Sequence, residues 1–200
     1  MIKIGLTGSI GMGKSTVLKM FSALGAAIWD ADAAVHRLYD TGGRAIDPIR
    51  AVFPDAIEND AVDRMKLAGL VLSDAAAIEK LEAIVHPLVW EDREFFTSKA
   101  VSVGAPAVVF DIPLLFENGM ENFFDAVIVV SAPADIQRER VLARPGMSEE
   151  KLGAILALQL PDAEKRKRAD FVIDTSQSLE ETEMAVASVY KDVLKKALTT

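Results

Sequence analysis

No cysteine occurs among the 200 residues. Disulfides and thiolate metal sites are therefore excluded, and a cytoplasmic enzyme is the expected setting. No uninterrupted apolar run approaches the roughly 18 residues that a membrane-crossing helix requires, so no membrane partner is expected. The apolar stretch of residues 2–6 is too short for a secretory leader. Positive charge is in short supply, with 22 Lys and Arg against 30 Asp and Glu and a net charge of −8. Such a surface repels nucleic acid, and no basic cluster is interleaved with aromatics, so no nucleic-acid partner is expected. Polyanionic substrates would have to be held by a few local cations and backbone N–H groups. There are only two histidines, His36 and His86, and they lack zinc-ligand spacing.

Half the residues are hydrophobic, as in a globular chain with a sizeable core. Short apolar runs alternate with helical stretches, which points to an α/β fold built on a parallel sheet. Residues 2–6 read as a strand, and residues 14–24 as a helix stopped by Gly25. Residues 26–29 form a short second strand. Residues 107–110 and 126–130 read as buried strands, and 171–173 as the last. The final helix opens on a capping box, Ser178 with Glu181, ahead of apolar positions Met184, Val186, Val189 and Val193.

Residues 33–102 are helical in pattern, punctuated by Pro48 and Pro54 and broken by Pro87. This stretch is longer than a βα connection needs and reads as a helical insertion on the substrate side. A second excursion covers residues 143–168, where Ser148 caps a helix and Glu149 and Glu150 suit its first turn. The core of this single domain is then 1–32, 103–142 and 169–200. No internal repeat is present, and the sequence sets no oligomeric state.

The segment Gly8-Ser9-Ile10-Gly11-Met12-Gly13-Lys14-Ser15 matches G-x-x-x-x-G-K-[ST], between a strand and a helix. Its glycines let successive N–H groups turn inward around phosphate oxygens, and the helix start adds partial positive charge. Gly11, Met12, Gly13, Lys14, Ser15 and Thr16 are therefore the expected ATP-binding residues. Lys14 reaches the β- and γ-phosphates, the Ser15 hydroxyl is a ligand for Mg²⁺, and Thr16 meets the α-phosphate. Met12 is a spacer in the loop. A P-loop alone leaves a GTPase, a motor ATPase and a small-molecule kinase open. The chain has no base-reading N-K-x-D, and its compact length with a helical insertion favours the kinase.

Asp30 and Asp32 follow the second strand. Asp32 can take the proton of an attacking hydroxyl, or serve the start of a helix; Asp30 can order Mg²⁺-bound water or act as an N-cap. Asp111 ends an apolar strand, where a carboxylate can hold Mg²⁺ through water or simply terminate the strand. His36 lies one helical turn after Asp32 and is a structural hydrogen-bonder or an acceptor contact. His86, before Pro87, is a hinge or a substrate contact. Gln137, Arg140 and Arg144 share a helix face, with the two arginines placed to close over ATP. The run Lys165-Arg166-Lys167-Arg168 has at least two members on a solvated face. Trp29 and Trp90 read as packing residues.

These segments together resemble the dephospho-CoA kinase family along nearly the whole chain. The resemblance rests on residues 6–16, Asp30-Ala31-Asp32, His86-Pro87, Asp111-Ile112-Pro113-Leu114-Leu115-Phe116-Glu117, Gln137 with Arg140 and Arg144, Gln159, and residues 169–174. It implies a P-loop NTPase fold with a five-stranded parallel sheet in the order 2-3-1-4-5. It also implies transfer of phosphate from ATP, with Mg²⁺, to the ribose 3′-hydroxyl of dephospho-CoA, giving coenzyme A and ADP. Asp32 matches the family's proposed base, the insertion its acceptor subdomain and residues 143–168 its lid. Ser9 and Thr175 stand where many members have glycine and asparagine. A P-loop kinase of another acceptor and a nucleotide-binding regulator without transfer activity are the competing readings; Lys14, Ser15 and Asp32 together argue against the latter.

Overall fold

The computed structural model describes residues 1–196. Along the chain lie β1 (Ile2–Thr7), α1 (Lys14–Ala23), β2 (Ala27–Asp30), α2 (Ala31–Tyr39) and α3 (Ile46–Val52). Then come β3 (Ile57–Glu58), β4 (Ala61–Val62), α4 (Arg64–Val71), α5 (Ala75–Ser102) and β5 (Ala107–Asp111). The chain continues with β6 (Ala126–Ser131), α6 (Ala134–Leu142), α7 (Glu149–Ala157), α8 (Asp162–Arg168), β7 (Phe171–Asp174) and α9 (Leu179–Lys196). It divides into two compact units: Met1–Trp29 with the chain from Ala100 onward, and Asp30–Lys99.

The first unit is built on a parallel sheet in the order β2-β5-β1-β6-β7. Counted along the chain, its five strands run 2-3-1-4-5, as the family resemblance implied. In the register, Ile4 lies between Val109 and Ala126, and Ile128 pairs with Phe171. Ile4, Leu6, Val109, Ile128 and Ile173 are fully buried, as expected for strands covered on both faces. Helix α1 ends in a Schellman motif: Ala26 N–H donates to the Phe21 carbonyl at 3.1 Å and Gly25 N–H to that of Ser22 at 3.0 Å. Its Phe21 meets Tyr190 of α9 edge-on, with ring centroids 5.6 Å apart. Helix α9 carries the expected capping box, the Ser178 Oγ accepting from Glu181 N–H at 3.2 Å. Its buried face is Thr182, Val186, Tyr190 and Val193. Met184, read as part of that face, is 60% exposed because it falls two residues from Thr182 and Val186 alike.

The second unit has its own core around Leu38, Ile46, Ile49, Phe53, Leu67 and Val85. Two sequence expectations change here. The helix does not break at Pro87: α5 is continuous over 28 residues. Proline removes one N–H, but Ala83, whose carbonyl loses that donor, is exposed, so water can satisfy it. The stretch also contains a small antiparallel hairpin, in which Ile57 pairs with Val62. Its turn residues Asn59 and Asp60 have φ of 50° and 58°, the left-handed pair that a two-residue hairpin needs.

Candidate active site

Strand β1 delivers the chain into the glycine-rich loop. A Cβ on Gly8 would stand 2.4 Å from the Val130 carbonyl oxygen, so β6 can pass this close only to glycine. Gly11 has φ +79°, and a Cβ there would meet Val141 of α6 at 2.5 Å. Gly13, also left-handed, opens α1 with no side-chain cap, and the first turn has no acidic residue. The helix therefore presents its N-terminal partial charge without a carboxylate of its own to neutralise it. Lys14 is half-buried, and Ser15 and Thr16 are exposed on that first turn.

The loop is held from four directions. Gln137 Nε2 donates to the Ile10 carbonyl at 2.7 Å, and Ile10 N–H donates to Gln159 Oε1 at 3.2 Å. The Thr175 hydroxyl lies 2.8 Å from the Met12 carbonyl, and Ala132 N–H lies 3.1 Å from the Met12 sulfur. Met12 is thus not a spacer. It is 2% exposed and belongs to the core under the loop. Ser9 is 3% exposed, again a buried loop residue.

The cations are arranged differently from their sequence pattern. Arg140 donates to the Thr175 hydroxyl at 3.0 Å and to its carbonyl at 2.6 Å, so it is tied to the end of β7. Arg144 is not on the same helix. Helix α6 stops at Leu142, with Ala143 as its C-cap, because Pro145 disfavours helical geometry in the residue before it. Arg144 is exposed in the turn that follows. Beside the loop lies a cavity of about 240 Å³ lined in part by Met12, Ser131, Gln137, Asp162, Arg166 and Asp174. The Ser176 N–H and hydroxyl, with the charges of Arg166 and Arg140, hold the Asp174 carboxyl below the usual carboxylate range. Asp111 is half-buried at the end of β5, paired in register with Leu6.

The remaining expected residues belong to the second unit. Asp30 is an N-cap: its carboxylate accepts from Ala33 N–H at 3.0 Å. Asp32 is exposed in the first turn of α2, His36 is exposed one turn later, and His86 is exposed on α5 rather than at a hinge. Trp29 is a core residue at 3% exposure, but Trp90 is 44% exposed and stacks under the Arg93 guanidinium, 3.7 Å from the ring centroid.

The basic run conceals the residue that the sequence reading overlooked. Lys167 pairs with Glu164 in solvent, and Arg168 reaches Glu121 and lies over the Phe116 ring at 4.6 Å. Lys165 has no exposure at all and pairs with Glu117 at 2.9 Å. Burial pushes the Glu117 carboxyl up, but the Lys165 ammonium and the Leu160 N–H outweigh it and hold the group below its ordinary range. No local spacing in the sequence signals this pair, because Glu117 lies on a different segment of the chain.

The family model for dephospho-CoA kinase matches residues 2–181. A dephospho-CoA kinase of Bradyrhizobium diazoefficiens is 55% identical over 96% of both chains. Among solved structures, TT1252 from Thermus thermophilus superposes with a TM-score of 0.82 at 38% identity, covering 96% of this chain and 97% of that one. A dephospho-CoA kinase from Campylobacter jejuni does so with a TM-score of 0.65 at 25% identity, over 96% of each. With a glycine-rich G-x-x-x-x-G-K-S loop between β1 and α1 and likeness along nearly its full length, the chain belongs to the dephospho-CoA kinase family.

Proposed function

We propose that the protein transfers the γ-phosphate of ATP to the ribose 3′-hydroxyl of dephospho-CoA, giving coenzyme A and ADP. The observation that carries this is the uncapped start of α1 behind a glycine loop, with Lys14 at its mouth, in a chain that is family-like over residues 2–181. The loop N–H groups and Lys14 bind the β- and γ-phosphates, and Thr16 the α-phosphate. Arg140 binds ATP, and Arg144 neutralises charge on the transferring group. Asp32 accepts the proton of the acceptor hydroxyl, and His36 and His86 contact the acceptor.

The donor set fits Mg²⁺: the Ser15 hydroxyl is a hard oxygen ligand, and the Asp111 carboxylate would hold the ion through water. Among the described residues no group of three His, Cys, Asp or Glu could hold a metal. That suits an ion which takes most of its ligands from phosphate and water. Bound there, Mg²⁺ offsets charge on the phosphates.

The acceptor is tested by offering adenosine, AMP and dephospho-CoA at equal concentration and identifying products by mass and phosphorus NMR. Dephospho-CoA should be phosphorylated at its 3′-position far better than the others. The pantetheine arm should act through positioning, so truncated acceptors lose kcat as well as raising KM. Equal turnover of AMP, or phosphate on the 5′ side, sinks the reading.

Residues 143–168 are proposed to close over ATP as a lid. The greatest change is expected in residues 143–158, because Gln159 and Leu160 are already hydrogen-bonded to Ile10 and Glu117. Hydrogen exchange with a non-hydrolysable ATP analogue should show new protection in residues 143–158. Unchanged exchange there would count against a lid. No helix among the described residues is long and apolar enough to cross a membrane.

A further inference from the structure

We propose that Glu117 and Lys165 are positioning residues of the phosphate cradle: their buried pair fixes Leu160, and through it Gln159, against the peptide N–H of Ile10. One oxygen of Glu117 carries the arrangement. It accepts from Leu160 N–H at 2.6 Å and lies 2.9 Å from Lys165 Nζ. Lys165 also donates to the Pro113 carbonyl at 3.3 Å, which in turn accepts from the Thr7 hydroxyl at 3.1 Å, one residue before Gly8. Gln159 precedes Leu160, and its side-chain oxygen accepts from Ile10. The opposite side of residue 10 is held by Gln137, so this part of the loop is clamped at both N–H and C=O.

Stability alone gives little reason for such a pair. An ammonium with no exposure is costly to desolvate, and apolar residues of similar volume usually serve a core as well or better. The second Glu117 oxygen is buried without a hydrogen-bond partner among the described residues, so the pair is not optimised as a stabilising network. What the carboxylate does provide is a fixed acceptor for Leu160 N–H, at the end of a loop that has no strand or helix between α7 and α8 to locate it. The orientation of Ile10 governs that of the N–H groups that follow it in the cradle. Donors to a phosphoryl group act only when held close to productive geometry. Neither residue touches ATP; both act through Gln159.

This inference rests on the reading of the loop as the ATP phosphate site. Three forms of the full chain test it: Glu117→Leu with Lys165→Met, Glu117→Gln with Lys165→Met, and Gln159→Leu. The first removes both charges and the acceptor, so it should keep a parent-like Tm while kcat/KM for ATP falls about tenfold, the scale of one lost positioning hydrogen bond. The KM for dephospho-CoA should stay unchanged. The second retains an oxygen for Leu160 N–H and should recover most of the loss. Gln159→Leu should match the first form, and combining it with the first should cost no more than either alone. Parent-like ATP kinetics in the first form, or additive losses, would overturn the proposal. Should the first form not fold, parent-like ATP kinetics in Gln159→Leu overturn it equally, since that change touches no buried charge. Lys14→Ala run in parallel keeps the two readings apart: normal turnover there refutes the phosphate site itself, whereas a dead Lys14→Ala beside parent-like pair variants refutes only the positioning role.

Discussion

Lys14→Ala is expected to abolish measurable turnover, with a loss on the order of 10³ or more in kcat, the scale seen when a charged group is taken from a transferring phosphoryl. The side chain is half-buried at the first position of α1 and makes no ion pair or hydrogen bond with any described residue. Nothing in the core is lost with it, since the buried residues of α1 are Val17, Leu18 and Phe21. Alanine is also the best helix former, so the start of α1 should survive. The melting temperature should therefore stay near that of the parent while ATP turnover disappears. A variant with near-normal kcat would show that the loop binds something other than the transferred phosphate.

The parts of this molecule that were legible in the sequence are those set by local rules. The G-x-x-x-x-G-K-S segment, the Gly25 stop, the Ser148 cap and the Ser178–Glu181 box each depend on residues within one or two turns, and the structure has each of them. The strand runs were readable because a doubly covered parallel strand is uniformly apolar. What escaped were arrangements made across the chain. Gln137 and Gln159 reach Ile10 from 127 and 149 residues away, and no periodicity announces a hydrogen bond of that span. Lys165 sits in a basic run of which at least two members are expected on a solvated face, and nothing local marks it as the buried one; its partners, Glu117 and the Pro113 carbonyl, lie far away in the chain. Arg144 and Pro87 show the reverse failure, with local rules misapplied. The i, i+4 spacing of Arg140 and Arg144 presumed a helix that Pro145 had already ended, and Pro87 was given more power to break α5 than a single missing N–H has. Asp30 reads from the sequence as a cap or as a residue that orders Mg²⁺-bound water, and its bond to Ala33 shows the cap.

That resolution of Asp30 sharpens the second large effect, which is expected at Asp32. Asp32→Asn keeps the shape of the side chain and removes the proton acceptor. Loss of a general base commonly costs about 10²–10⁴ in rate. A loose phosphoryl-transfer transition state, in which the nucleophile's proton leaves late, moves the expected loss toward the lower end. Stability should change little: Asp32 is exposed, makes no hydrogen bond or ion pair with a described residue, and gains roughly 0.3–1 kcal/mol from the α2 N-terminus. Asp30→Asn is the matched control, because asparagine caps a helix about as well as aspartate and preserves the bond to Ala33. Measured side by side, Asp32→Asn should lose kcat with ATP affinity intact, and Asp30→Asn should keep both. A drop in ATP affinity with kcat retained would move Asp32 to the nucleotide site. Equal loss in the two variants would instead assign the effect to the start of α2 as a whole and remove the case for Asp32 as the base.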